Sequence, residues 1–393
     1  MQYRLDKKSG NQLSVLGFGC MRLPGTLGKI DIAKSEELFL KAIEGGINYF
    51  DTAYLYPGSE DALGQILEKH GLRNKVFIAT KLPQAMCQSR ADFDKYFDIQ
   101  KKRLRTDHVD YYFMHAMADL AQWERLVSLG IKEWIAEKKA SGEIRRVGFS
   151  FHGMRQEFTA LLNAYDWDFC QIQYNYLNTT YQAGTDGLQE AARLGLPVFI
   201  MEPLLGGKLA TGLPKKAEAL LRQADPQRTN AAWALRWIWN QSEPTLLLSG
   251  MNSLEQLTEN LRLADEARVG MIQGPEAAAL NKAIDAVKES YKIPCTGCNY
   301  CMPCPQKINI PALFAAYNSS YSMGKMSGLS SYVISVGALS AEPHYASSCV
   351  KCGLCEKRCP QHIAIRDSLV SVTKRLEPFF LKPIMRLVTK IVR

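Results

Sequence analysis

The sequence predicts an α/β fold, a parallel (β/α)8 TIM barrel followed by a smaller, mainly helical domain. Three observations carry that reading. Over residues 1–270, short β-branched or aromatic runs alternate with amphipathic stretches of helical length. Polar side chains stand at the ends of several successive runs, and eight of the 11 cysteines fall in two tight groups near the C-terminus.

The runs that read as strands are 14–21 (SVLGFGCM), 47–53 (INYFDTA), 76–82 (VFIATKL), 108–115 (HVDYYFMH), 145–151 (RRVGFSF), 169–175 (FCQIQYN), 196–203 (LPVFIMEP) and 245–251 (TLLLSGM). Between them lie helical patterns such as 31–46, where Ile32, Leu38, Leu40 and Ile43 alternate with charge, and 254–267. Eight buried strands, each followed by a helix, make a closed barrel whose chemistry sits beyond the strand C-termini. An open doubly wound sheet is the competing layout, but no Gly-x-Gly-x-x-Gly fingerprint opens its first helix.

Asp51, Lys81, His115, Ser150 and the stretch from Gln171 to Asn175 end the second to sixth strands. A strand buried on both faces has no packing use for Asp, Lys and His at its end, so agreement across successive strands marks a site. The barrel is expected over 1–275, a linker helix over 276–294, the cysteine domain over 295–370 and a basic amphipathic tail over 371–393.

The 393 residues are 47% apolar or aromatic and 22% charged, which suits one large and one small folded domain and leaves little room for disorder. No run is long and apolar enough to span a membrane, and the first residues lack the pattern of a secretory signal, so the expected compartment is cytoplasmic. The net charge of +9 is concentrated in the last 20 residues, where Lys374, Arg375, Lys382, Arg386, Lys390 and Arg393 face only Glu377. The remainder is near balance and offers no nucleic-acid surface.

The stretch FDTAYLYPGSEDALG (50–64), followed by IATK (78–81) and DYYFMH (110–115), resembles the aldo-keto reductases, and the resemblance extends over roughly two thirds of the chain. It implies a catalytic tetrad of Asp51, Tyr56, Lys81 and His115. Reduction of a carbonyl by hydride needs a proton donor for the developing alkoxide, and a phenol is too weak an acid at neutral pH unless tuned. In this reading Tyr56 is the donor, the Lys81 ammonium lowers its pKa, Asp51 holds Lys81, and His115 orients the carbonyl oxygen. The resemblance also implies NADPH or NADH, with Ser150 and Gln171 on the carboxamide and Pro203, Leu204, Gly206 and Lys208 around the pyrophosphate. The remaining nucleotide contacts would fall on Gly19, Met21, Asp51, Gly250, Asn252, Gln256 and Asn260. Members that prefer NADPH place a cation in the late segment; here Gly250, Met251, Asn252 and Gln256 supply none, which makes NADH a serious candidate. His152, Trp123 and Met117 could line a substrate pocket or simply pack.

Cys295, Cys298, Cys301 and Cys304, followed by Pro305, are answered by Cys349, Cys352, Cys355 and Cys359, followed by Pro360. The second run has bacterial ferredoxin spacing, and the first is one residue short before its last cysteine. Two [4Fe–4S] clusters are expected, with two four-cysteine zinc sites as the competing reading. In two-cluster ferredoxins the cysteine before proline reaches the other cluster, which groups Cys295, Cys298, Cys301 and Cys359 against Cys349, Cys352, Cys355 and Cys304. The stretch between the runs reads as helix then loop, and resembles the helical two-cluster modules of respiratory iron–sulfur subunits. The tail reads as a C-terminal packed helix or as a segment touching a membrane surface or a partner.

Hydride carries two electrons together, whereas a cluster passes one. The leading expectation is an oxidoreductase that reduces a carbonyl or oxidises an alcohol, with the clusters linking it to a ferredoxin or flavoprotein. The alternatives are an electron-transfer subunit whose barrel is a scaffold, or an enzyme whose clusters are structural.

Overall fold

The computed structural model describes residues 1–26, 29–337, 343–383 and 385. Eight parallel strands close into a barrel in strict sequence order: β1 (Leu16–Gly19), β2 (Tyr49–Asp51), β3 (Phe77–Leu82), β4 (Val109–Met117), β5 (Ile144–Phe151), β6 (Phe169–Gln173), β7 (Val198–Met201) and β8 (Pro244–Ser249). Every one falls on a run expected to be a strand. Closure comes from β8 pairing with β1, Leu247 opposite Leu16 and Ser249 opposite Phe18.

The interior is filled largely by aromatic rings. Tyr49, Tyr111, Phe113, Phe169 and Phe199 pack with Leu246 and Leu248, and Phe169 stacks on Phe199 with centroids 5.2 Å apart. Rings this large fit because the wall is thin where they press on it: a Cβ on Gly148 would stand 2.3 Å from the Phe169 carbonyl oxygen. An N-terminal antiparallel hairpin, Tyr3–Leu5 with Gln12–Ser14, adds Leu13 to this core. Its strands are three residues each, too short for an alternation pattern to register.

The chain divides into two compact units. The first comprises 1–175, 183–204 and 234–272; the second comprises 273–393 together with 176–182 and 205–233. A division at residue 275 therefore misses two segments that follow β6 and β7. In the second unit, helix Gly274–Glu289 packs on helix Lys215–Ala224, with Lys216 and Glu289 paired at their ends. Thr180 Oγ1 reaches the Thr296 carbonyl at 3.3 Å, and Tyr181 bonds Ser335 at 3.1 Å.

Between the cysteine runs lies an antiparallel pair of helices, Ile310–Ser322 and Lys325–Ser335, rather than helix then loop. The second helix has four serines and a glycine among its 11 residues and is weak in propensity, and it is stabilised by close packing that a local reading misses. Gly328 is the contact: a Cβ there would stand 2.3 Å from Ser320 Cβ, and Ser319 and Ser327 share a 2.7 Å hydrogen bond. Helix Ile365–Leu376 follows the second run and ends before Pro378, beyond which Leu381 and Met385 are buried and Phe379 is 93% exposed. The tail residues Arg386, Lys390 and Arg393 lie outside the described residues. Among the described residues, no helix is long and apolar enough to cross a membrane.

Candidate functional site

Asp51 is the last residue of β2 and pairs in register with Ala79, two residues before Lys81 on β3. That register brings the two charges together inside the barrel. Lys81 Nζ lies 2.5 Å from Asp51 Oδ1 and 2.7 Å from the Thr52 carbonyl, both side chains being almost wholly buried. From β6, Gln171 Nε2 donates to the other carboxylate oxygen at 3.2 Å. The carboxylate is thus held from two strands, and each buried charge has its counter-charge. Burial pushes the Asp51 carboxyl up, against the downward pull of Lys81 and Gln171.

Tyr56 sits in the turn after Asp51. Its backbone N–H bonds to Ala53 and its carbonyl accepts from Ser59, while Ser59 Oγ bonds Thr52 Oγ1 and the Cys20 carbonyl. This knots the turn to the end of β1 and fixes the phenol above the ion pair, its ring centroid 5.1 Å from Lys81 Nζ. The electrostatics differ from the sequence expectation in one respect. The Tyr56 phenol is raised above its ordinary pKa, by burial first and then by the negative charge of Asp51, with Cys20 and Glu202 adding to it. Lys81 is engaged by Asp51, so the pair as a whole presents little net positive field to the phenol. Tyr56 is therefore held protonated.

His115 approaches from β4, its ring 5.9 Å from that of Tyr56 at 82°. Immediately after it Ala116 adopts φ +54° and the pairing with β5 slips between Met114 and Met117, a bulge that turns the strand at the site. Ser150 Oγ accepts the Ala116 N–H at 2.8 Å and so pins the bulge. Burial, then the charges of Lys81 and His152, push the His115 imidazole well below its ordinary pKa, leaving it neutral. Its Nδ1 is buried without a partner, as are both amide atoms of Gln173, two positions beyond Gln171 on the same face of β6. Unsatisfied polar atoms at this mouth fit a bound polar ligand such as a carboxamide.

The other residues expected at a nucleotide vary in character. Gly19 and Gly250 close the ends of β1 and β8, Met21 is 65% exposed, and Pro203 is buried. Asn260 is buried and donates to Ser249 Oγ at 3.1 Å, so it ties helix Leu254–Asp265 to β8. Gln256 accepts the Asn252 N–H and closes the first turn of that helix. In the second unit, Gly206 and Gly207 have positive φ and lead into the short helix that begins at Lys208. Sequence reasoning missed Arg22: the late segment has no cation of its own, but Arg22 Cδ lies 3.4 Å from where a Gly250 Cβ would stand. Only the β8–β1 closure reveals that neighbour. Trp123 and Met117 are both buried, Trp123 with its ring 4.7 Å from that of Trp167.

The cysteines surround two cavities in the second unit. One is lined by Cys295, Cys298, Cys301 and Cys359; the other by Cys304, Cys349, Cys352 and Cys355, with Cys301 and Ile310 common to both walls. Cys359 of the second run thus lines the cavity of the first run, and Cys304 of the first run that of the second. Among the described residues, no three His, Cys, Asp or Glu side chains converge closely enough for a single metal ion. Each cavity is lined by at least four cysteines, the ligand number of a [4Fe–4S] cluster. The Lys351 N–H points at Cys349 Sγ, 3.4 Å away, in the manner that stabilises a thiolate ligand. Burial pushes the Cys301 thiol up to about 12, so its ionisation would be linked to metal binding.

Residues 15–273 match the model of the aldo/keto reductase family, and 294–364 match that of the 4Fe-4S dicluster domain. The chain belongs to the aldo/keto reductase family, and its C-terminal part is a ferredoxin-type iron–sulfur domain. Among curated relatives it is 22% identical to an aldo-keto reductase of Schizosaccharomyces pombe whose name includes NADP(+), over 54% of this chain and 64% of that protein. It is 29% identical to the aldo-keto reductase YhdN of Bacillus subtilis, over 40% of this chain and 49% of that one. The chain thus spans about half to two thirds of the length of these relatives. Among solved structures, an aldo-keto reductase from Bacillus halodurans in its holo form superposes with a TM-score of 0.60 at 26% identity, over 72% of this chain and 96% of that one.

Proposed function

We propose that the barrel reduces a carbonyl compound, or oxidises the corresponding alcohol, with NADPH or NADH, and that the iron–sulfur domain links it to a separate one-electron carrier such as a ferredoxin or flavoprotein. The observation that carries this reading is the buried Asp51–Lys81 pair with Tyr56 and His115 beside it at the barrel mouth. A bound nicotinamide would supply the hydride to the carbonyl carbon. Neutral His115 offers a ring N–H to the carbonyl oxygen, and Tyr56 Oη, kept protonated by its surroundings, delivers the proton that the oxygen gains. In this reading a carbonyl oxygen that becomes negative favours transfer from the phenol, and the ammonium of Lys81 helps to stabilise the phenolate left behind. Water must be kept from this mouth during transfer, and the aromatic floor beneath it serves that end.

On the nucleotide, the S. pombe relative's name and the position of Arg22 favour NADP(H), while the segment from Gly250 to Gln256, which carries no cation, favours NAD(H). Cys295, Cys298, Cys301 and Cys359 would hold one cluster, and Cys349, Cys352, Cys355 and Cys304 the other. The test is turnover of a panel of aldehydes and ketones by cluster-loaded protein with each nicotinamide, alongside a fluorescence titration of nucleotide binding. Oxidation of one nicotinamide with formation of alcohol is expected. Binding of neither nucleotide would instead favour a barrel that serves as scaffold.

A further inference from the structure

We propose that the rim around Cys352 is the docking surface for a small acidic protein that carries one electron at a time. The inference rests on the reading of the clusters as redox centres and adds to it a place and a partner charge.

The two cavities open onto surfaces of different character. Segment 294–306, which lines the first together with 359–365 and also contributes to the second, carries no charged side chain, and its exposed large residue is Tyr300. Around the second, Cys352 is itself exposed, Val350 is 61% exposed and Leu354 43%. Next to these apolar residues in sequence are Lys351, Lys357 and Arg358, all exposed, with Arg358 also preceding Cys359 of the first cavity. The acid within the run, Glu356, is turned to Arg366, its Oε2 2.7 Å from that guanidinium, so its charge is already compensated. Val350 and Arg366 both line the cavity.

An apolar patch ringed by one sign of charge, at an exposed ligand of an electron centre, has the design of a transient encounter site. Charge steers the partner in, and the small apolar contact holds it briefly and lets it go. Three lysine or arginine side chains without a free acid among them select an acidic partner. Each encounter transfers one electron: the cluster loses what the carrier gains, and a flavin carrier takes the proton of its semiquinone from solvent.

The experiment uses the full chain with both clusters loaded, reduced by dithionite, freed of excess reductant and mixed in a stopped-flow cell with an oxidised, strongly acidic flavodoxin as probe. Flavin semiquinone should form at a rate that falls by at least about tenfold as salt rises from low to several hundred millimolar. Lys351→Glu/Lys357→Glu/Arg358→Glu should lower the low-salt rate by about tenfold or more and abolish the fall with salt. The milder Lys357→Gln/Arg358→Gln should give a smaller loss of the same sign, and iron content checks that each variant has folded around its clusters. A salt-independent rate, an unchanged rate in the loaded variants, or faster reaction with basic cytochrome c overturns the docking proposal alone. Failure of dithionite to bleach the clusters overturns it together with the redox reading.

Discussion

The barrel mouth and the cysteine cavities are built on opposite plans. At the mouth, groups separated by up to 120 residues, such as Asp51 and Gln171, are brought together by strand register, and each buried charge finds a counter-charge. In the iron–sulfur domain each set of thiols comes mostly from one stretch of a few residues, and the groups wait for a partner the chain does not itself supply. The first site is held by the fold; the second must be held in part by what it binds. Substitutions should therefore fail differently in the two places.

The largest effect is expected where the two cavities share a wall. Cys301 lines both, whereas Cys298 lines one and is exposed. Cys301→Ser should cost most of the iron of both clusters, measured as iron and sulfide per chain, while Cys298→Ser should leave about half. Equal losses from the two would show that the cavities are independent. In neither case should the barrel's own unfolding transition move much, since its core is a separate compact unit.

Next is the ion pair. Lys81→Met leaves the Asp51 carboxylate buried without its cation, which should cost about 3–5 kcal/mol of barrel stability in denaturant unfolding. Adding Asp51→Leu should recover most of that loss, because it is the orphaned charge rather than the missing bond that destabilises. Activity should not return in the double variant. Recovery of turnover would show that the pair serves folding alone.

Tyr56→Phe separates chemistry from structure at the same mouth. It deletes a hydroxyl and keeps the ring packed near Lys81, so stability and iron content should hold, while kcat for carbonyl reduction falls by about 10²–10⁴. A variant that keeps its kcat would give the proton to another donor.

How much of this could be read from the chain follows the same division. The eight strands were legible because each is an apolar run between turn signals, and Asp51, Lys81 and His115 because charge at the end of a buried strand is out of place. The two cysteine runs were legible from spacing, and two-cluster ferredoxins suggested the grouping that the cavity linings match. What escaped was whatever depends on residues distant in sequence. Arg22 is adjacent to Gly250 only through barrel closure. Helix Lys325–Ser335 exists because Gly328 lets it press on its neighbour. The raised pKa of Tyr56 reflects burial first and then the charge of Asp51, which a list of neighbouring residue types does not decide. Segments 176–182 and 205–233 carry no composition that marks them as part of the second unit.

The smallest expected effect is a pH dependence confined to the barrel. His115 is pushed well below its ordinary pKa in the folded chain, by burial and by the charges of Lys81 and His152, whereas in the unfolded chain it titrates near 6.5. Below that value the unfolded chain binds a proton that the folded one refuses, so acid favours unfolding. The contribution is absent above neutral pH and grows as pH falls through about 6, with a slope of at most about 1.4 kcal/mol per pH unit for one proton. His115→Gln removes the titrating group and keeps a polar side chain of similar reach. Its unfolding free energy should therefore fall less steeply than that of the parent protein between about pH 6.5 and 5. Taking the difference between the two proteins cancels the distant histidines and the cysteine domain, whose titrations are common to both. Parallel curves would mean that the imidazole is hydrated enough to protonate in place, and the neutral hydrogen-bond donor assigned to it at the barrel mouth would be lost.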